Sequence, residues 1–378
     1  MAVYKIFPTQ DATLYSAYPT MNTGLDAILE VSNKLDINGT PDIARYLIKF
    51  DTTEIIDIIS NKISGSTYDV YFKNFITEAQ GINLDTSLEI LPVAQNWNNG
   101  TGYTLDSPIV EDGSSWAYSS YSGSNPWSMS GSTLGYGYTG SYNPTYSPQG
   151  GGNFFTGSIY RVTQSFELRS EKDIEVNVKT TVNAWSSSIL PNYGFIVKLT
   201  GSQEFNPSEY IQPQFKYYSV DTNTIYPPCL EFRWRDYQSV LTGSLTGSIV
   251  TTSDIKMSLS QNSGVFYPTS INKFNVNVSP LYPNRVYQTS SLFTNLNYLP
   301  TSSYYAIKDL ATNEFVVNFD NQYTQISSDT TGNYFSVYMS GLEPERYYKI
   351  LIKTIINSST LIFDDNYYFK VINGWVKI

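Results

Sequence analysis

Between Asp173 and Leu199 the hydrophobic period changes twice within one short stretch. Ile174, Val176 and Val178 alternate with polar residues, the pattern of a strand buried on one face. Val178, Val182 and Trp185 then fall at i, i+4 and i+7, which places them on one face of a short helix. The serines at 186–188 and Pro191-Asn192-Tyr193-Gly194 predict a turn, with the glycine free to take positive φ. Phe195, Val197 and Leu199 resume a period of two. Few folds accommodate a strand, one or two helical turns, a tryptophan, a turn and a strand in that order.

The rest of the chain reads as strands joined by turns. Tyr (33) and Phe (19) bring aromatics to 15%, as many as the charged residues, and this balance disfavours helices. With 378 residues there is room for two or three cores. The formal charge of −10 is spread along the chain, which argues for solubility and against nucleic-acid binding as the main task. The absence of histidine removes Ser-His-Asp and Cys-His catalysis and His-based metal sites. Cys229, between Pro228 and Leu230, reads as a small buried hydrophobe, and one cysteine excludes a disulfide within the chain. The N-terminus lacks a long apolar h-region, so no signal peptide is expected, and no apolar run approaches a membrane span.

Val3–Phe7, Asp11–Tyr15, Ile28–Val31, Arg45–Asp51, Thr67–Phe75 and Ser87–Ala94 read as strands, with Arg45–Asp51 buried on one face. Isoleucines at 55, 56, 59 and 63 suggest a short helical or irregular connection. A stretch at 113–157 rich in Gly, Ser, Tyr, Pro and Trp predicts a long, partly ordered loop, its rings too apolar for a solvated tether. Leu241-Thr242-Gly243-Ser244-Leu245-Thr246-Gly247-Ser248 reads as part of a linker over 237–253. The boundaries expected are 1–236 for a first β-sandwich and 254–378 for a second. Strands in the second are expected at Ile271–Val278, Arg285–Tyr287, Tyr304–Ile307, Glu314–Phe319, Tyr334–Met339, Tyr347–Ile355 and Tyr367–Val371. Gly341-Leu342-Glu343-Pro344, with Tyr348 six residues after the leucine, resembles the E–F corner of fibronectin type III domains.

Several landmarks of residues 1–236 occur in the order seen in the DNRLRE (disaggregatase-related) β-sandwich modules of cell-surface and carbohydrate-associated proteins. Asp11-Ala12-Thr13 with Pro19, Asn22 and Gly24 resembles the opening strand and turn, and Arg45–Asp51 the central strand. Trp97, Gly100, Thr101 and Gly102 resemble the W-x-x-G-T-G loop, and Gly113-Ser114-Ser115-Trp116 the G-x-x-W after it. Trp185 with Asn192-Tyr193-Gly194 resembles the late unit, and Pro228–Phe232 the closing strand. This resemblance implies a jelly-roll-type sandwich for 1–236; with the strand spacing and E–F corner of 254–378, which suggest an immunoglobulin/fibronectin-like sandwich, the fold expected is all-β with two sandwiches. The whole chain also resembles virion structural proteins of contractile-tailed phages of marine cyanobacteria, through Val3–Pro8, Tyr282-Pro283, Arg285-Val286, Lys308-Asp309-Leu310 and Gly341–Tyr348. It implies a non-enzymatic neck, tail or baseplate component, located in the virion and docked to other virion proteins in a symmetric multi-copy assembly.

The aromatic loop supplies the candidate interaction surface: Trp116, Tyr118, Tyr121, Trp127, Tyr136, Tyr138, Tyr142 and Tyr146. Rings of this kind suit a partner protein or, as the alternative, the face of a host-surface sugar. Trp97, Trp185, Asn192, Tyr193, Gly194 and Tyr348 are assigned as structural anchors, and the motif position of Trp116 favours anchoring too. Trp127 has no place in the motif and is expected to meet a partner. Paired carboxylates could serve a glycosidase, with Asp106, Glu111 and Asp112 the nearest in sequence, but on loops such groups are more often solvated. Asp11 and Asp364-Asp365-Asn366 lack the spacing of a calcium loop. No catalytic residue, metal or cofactor is assigned, and neither nucleic acid nor membrane insertion is expected.

Overall fold

The computed structural model describes residues 2–35, 41–63, 67–82, 86–127, 136–137, 150–205, 212–239, 247–282 and 296–373. The chain is all-β, its sheets packed as sandwiches, and it divides into two compact units. The first comprises Ile6–Lys62 and Val70–Glu231, the second Met1–Lys5, Ile63–Asp69 and Phe232–Ile378.

In the first unit, antiparallel strands run in the order Val162–Phe166, Thr86–Pro92, Phe195–Leu199, Pro41–Phe50, Ile28–Leu35, Gln214–Tyr218 and Ile76–Gln80, with Pro8–Tyr15 also paired to Pro41–Phe50. The segment Arg45–Asp51, most of which lies in the Pro41–Phe50 strand, is expected to bury one face only. Instead every residue from Ile43 to Ile48 is buried, because both faces of the sheet are covered. On one side Phe50 and Phe195 meet Phe72 of the Tyr68–Asn74 strand, which pairs with Ile174–Asn177. On the other, Ile43 and Leu47 lie beneath Trp97, Trp116 and Trp127, which come from loops, and Phe154 of the short strand Phe154–Phe155. Alternation is absent from this strand for the same reason it is absent from parallel sheets: neither face meets water.

The double change of period resolves into the strand Ile174–Asn177, the helix Lys179–Ser186 and the strand Phe195–Leu199. Val182 and Trp185 are buried, and the indole of Trp185 packs on Phe195 with ring centroids 4.6 Å apart. In the turn, Asn192 donates to Phe50 O (2.9 Å) and Thr52 Oγ1 (3.0 Å) and accepts from Gly194 N. Gly194 has φ +86°, and a Cβ there would stand 2.1 Å from Ile48 O, so no other residue fits. The isoleucine-rich connection is a helix, Thr52–Asp57, capped by the Asp51 carboxylate and followed by a π-helical turn, Ile58–Lys62.

In the second unit one sheet has the order Ile255–Ser260, Ile271–Pro280, Gly332–Tyr338, Ser327–Asp329. The other has Val265–Phe266, Ser359–Val371, Arg346–Ile356, Ser303–Asp309, Phe315–Val317. In chain order this is the A-B-E-D and G-F-C arrangement of an immunoglobulin-type sandwich. Tyr305 stacks on Phe335 at 4.3 Å in its core. Buried Tyr348 donates its hydroxyl proton to Glu343 O at 2.9 Å, the bond that defines a tyrosine corner. The strand expected at Arg285–Tyr287 lies outside the described residues, as do residues 240–246 of the expected linker. The described ends of that segment are tied into this unit: Gln238 O accepts from Ser328 N, and Gly247–Ile249 forms a parallel ladder with Leu296–Tyr298. Among the described residues no helix is long and apolar enough to cross a membrane.

Candidate interaction surfaces

Two asparagines hold the W-x-x-G-T-G loop of the first unit. Asn22, sealed from solvent, donates to Asn99 O (2.6 Å) and Ser114 O (2.9 Å) and accepts from Gly24 N and Gly102 N. Asn99 donates to Gly24 O and accepts from Asp11 N. Every hydrogen-bonding position of the Asn22 amide is used, which fixes the loop without a helix or strand. In the sequence Asn22 reads only as a turn residue, because its partners lie about eighty to ninety positions away.

This loop carries the tryptophans inward. Trp116 and Trp127 are 1% and 2% exposed. Trp97 donates its indole N–H to Tyr193 O (2.8 Å), and Trp127 donates to Ser115 O (2.9 Å). The expectation that Trp127 offers its ring to a partner is therefore corrected: the ring completes the cover over Ile43 and Leu47. Trp116 is likewise part of that cover. Tyr118 and Tyr121 are half-buried and pack edge to face, centroids 5.0 Å apart. Tyr136 pairs through its backbone with Phe155, and its side chain, like Tyr138, Tyr142 and Tyr146, lies outside the described residues. The carboxylates noted in the sequence are spent locally. Asp112 accepts from Thr101 N and Oγ1, Asp106 accepts from Tyr103 N, and Glu111 is exposed beside Tyr121. Asp364 pairs with Lys349.

Beneath Trp116 lies a buried ionic cluster that the sequence did not announce. Arg45 donates Nε–H to Glu204 Oε1 (2.6 Å) and Nη1–H to Gly151 O (2.6 Å), and its guanidinium lies 5.0 Å from the Trp116 ring centroid. Lys198 reaches Glu204 Oε2 at 3.0 Å. Burial alone would push the Glu204 carboxyl up, but Arg45 and Lys198 hold it below the usual range. Gly150, Gly151 and Gly152, in the stretch 113–157 expected as a long, partly ordered loop, all take positive φ and pass over this cluster. A Cβ on Gly150 would stand 1.9 Å from Trp116 O. Asp11 is a second buried carboxyl. Burial drives its pKa up to about 7, although Val220 N (2.7 Å) and the Ser219 hydroxyl (2.9 Å) both donate to it.

Beside this scaffold an open cleft of about 570 Å³ is lined by Gln10, Lys49, Gln95, Asn96, Trp97, Asn98, Ser119, Ser120, Asn125 and Pro126. Gln10 and Lys49 are cross-strand neighbours, and Gln95 bridges the walls by donating to Ser119 Oγ and Pro126 O, both 3.0 Å.

The second unit has a different surface. On the outer face of its larger sheet, lysines and aromatic rings sit opposite one another across the strands: Tyr304 with Lys353, Lys349 with Tyr368, Tyr347 with Lys370, and Lys308 with Phe315. Lys308 lies 4.4 Å from the Phe315 ring centroid, and Lys353 5.0 Å from that of Tyr304 and 4.8 Å from that of Phe319. Tyr347 and Ile362 are 56% and 58% exposed, and Phe315 and Tyr368 are also open to solvent. Lys349 and Lys370 have the carboxylates of Asp364 and Glu345, whereas Lys308 and Lys353 have none within ion-pair distance among the described residues.

Neither a protein-family model nor a curated protein matches the chain. Among solved structures, a DUF4785 family protein from Legionella pneumophila is similar at 5% identity and a TM-score of 0.18. The similarity covers 97% of this chain and 66% of that one, so the chain spans less than two thirds of that protein. A likeness at that score carries no argument about fold or function.

Proposed function

We propose that the chain is a non-enzymatic structural component of a tailed-phage virion, in the neck, tail or baseplate, docking to neighbouring subunits in a symmetric multi-copy assembly. The observation that supports it is the lysine–aromatic face of the second unit. Interfaces concentrate their energy in exposed rings that become buried on docking, and cation–π pairing keeps such rings ordered beforehand. Tyr347, Tyr368, Phe315 and Ile362 supply the rings and the apolar area, while Lys308 and Lys353 select an acidic partner surface. The docking role moves to this face because the tryptophans of the 113–157 loop are spent on the first unit's own core. Mass spectrometry of purified particles tests the reading, and a particle lacking this chain refutes it. A second reading, contact with a host glycan, is favoured by the amide-lined cleft of the first unit.

A further inference from the structure

We infer that the cleft between the 95–98 loop and the hairpin of Tyr118–Ser120 with Asn125–Pro126 is a binding site for a neutral saccharide. The inference rests on the glycan reading and gives it a location away from the tryptophans.

The cleft's walls are fixed by the protein itself. Trp97 anchors the loop through its bond to Tyr193 O, and Asn98 N donates to Ser119 O at 3.0 Å, joining loop to hairpin. Gln95 ties the same two elements through its side chain. A ligand therefore meets a surface that is already ordered, which lowers the entropy cost of capture.

Several of the polar side chains lining the cleft are unspent. The side chains of Gln10, Asn98, Ser120 and Asn125 make no hydrogen bond among the described residues, and Asn96 has only a long contact of 3.4 Å from Lys49. The Gln10 carboxamide oxygen likewise makes no hydrogen bond among the described residues.

A carboxamide offers donor and acceptor side by side, matching adjacent hydroxyls, each of which both donates and accepts. Among the described residues no carboxylate lines the cleft and Lys49 is the one cation there, so neither a cation nor a polyanion is suited. The apolar lining among them is confined to Trp97 and Pro126, which disfavours a hydrophobic peptide. The volume lies within the range of about 300–1,000 Å³ typical of small-molecule sites.

The test uses the full chain on an array of neutral and acidic glycans, followed by titration of the strongest neutral oligosaccharide. Two variants probe opposite walls, Asn96→Ala with Asn98→Ala, and Ser120→Ala with Asn125→Ala. Each is expected to keep the wild-type melting temperature and weaken binding about tenfold or more, as loss of two ligand hydrogen bonds implies. Neutral-glycan binding that both variants retain overturns the cleft and leaves the glycan reading standing. Binding restricted to acidic glycans overturns the neutral class, and no binding to any glycan overturns both.

Discussion

Arg45 and Glu204, both sealed from solvent, meet at 2.6 Å beneath the ring of Trp116. Glu204 also receives Lys198, which lies 3.5 Å from Glu89 as well. Replacing Glu204 by alanine leaves the buried Arg45 guanidinium without a carboxylate among the described residues and Lys198 with Glu89 alone. Loss of a buried partner costs about 3–5 kcal/mol, so the Glu204→Ala chain is expected to unfold at clearly lower urea concentration than wild type. An unchanged midpoint would mean the cluster is solvated.

Asp11 is expected to give the first unit a pH dependence of the opposite sign to an ordinary ion pair. Its pKa stands at about 7 in the fold against about 3.9 in an unfolded chain. The folded state therefore holds the proton more tightly. This stabilisation is complete below about pH 4 and is lost as pH rises through about 7, on the order of 4 kcal/mol in all. In Asp11→Asn the amide oxygen can accept from Val220 N while its N–H₂ donates to the Ser219 hydroxyl. Melting temperatures from pH 5 to 8 should fall for wild type relative to this variant. Parallel curves would refute the assignment.

Gly151 is expected to resist any side chain. A Cβ there would lie 2.8 Å from Arg45 Nη1 and 2.9 Å from the Trp116 ring, at φ +82°. Strain and displacement of the buried guanidinium together should cost Gly151→Ala about 2–4 kcal/mol. Chemical denaturation measures this directly. In a solvated linker the same change would have almost no effect.

How much of this was legible follows from where the partners lie in sequence. The strand–helix–turn at Asp173–Leu199 rests on local spacing, and the Tyr348 corner closes within five residues, so both could be read from the chain. Arg45 and Glu204 are separated by 159 positions, and Asn22 finds Ser114 across 92. No local pattern marks such pairs. The tryptophans posed a different problem. Their composition signals large rings near loops, but whether a loop turns its rings outward or over a sheet depends on whether the sheet face beneath is already covered. Here Ile43 and Leu47 share one buried cluster with Trp97, Trp116 and Trp127. The amide cleft was hidden too, since Gln10, Asn96 and Asn125 come from three separate segments.

The lysine–aromatic face should be separable from stability. Tyr347 and Ile362 are mostly exposed, and surface substitutions of this kind usually change stability by no more than about 0.5 kcal/mol. Tyr347→Ala with Ile362→Ala is therefore expected to melt like wild type yet be depleted from assembled particles, measured by quantitative mass spectrometry of the virion. Full incorporation would remove this face from the docking proposal.

The two anchoring tryptophans of the first unit should respond differently to the same substitution. Trp97→Phe and Trp185→Phe each remove an indole's extra volume from a packed site and leave a similar cavity. The hydrogen bonding differs. The Trp97 N–H donates to Tyr193 O at 2.8 Å in a part-buried setting, and phenylalanine removes that bond. The Trp185 N–H is buried with no partner among the described residues, so phenylalanine there removes an existing cost. The lost bond, about 0.5–1.5 kcal/mol, thus adds to the cavity term at Trp97, and relief of the unsatisfied group, about 1–3 kcal/mol, subtracts from it at Trp185. Trp97→Phe is expected to be the more destabilising by at least about 1 kcal/mol in matched urea titrations. Equal losses would mean that packing alone sets the role of both rings, including the contact of Trp185 with Phe195.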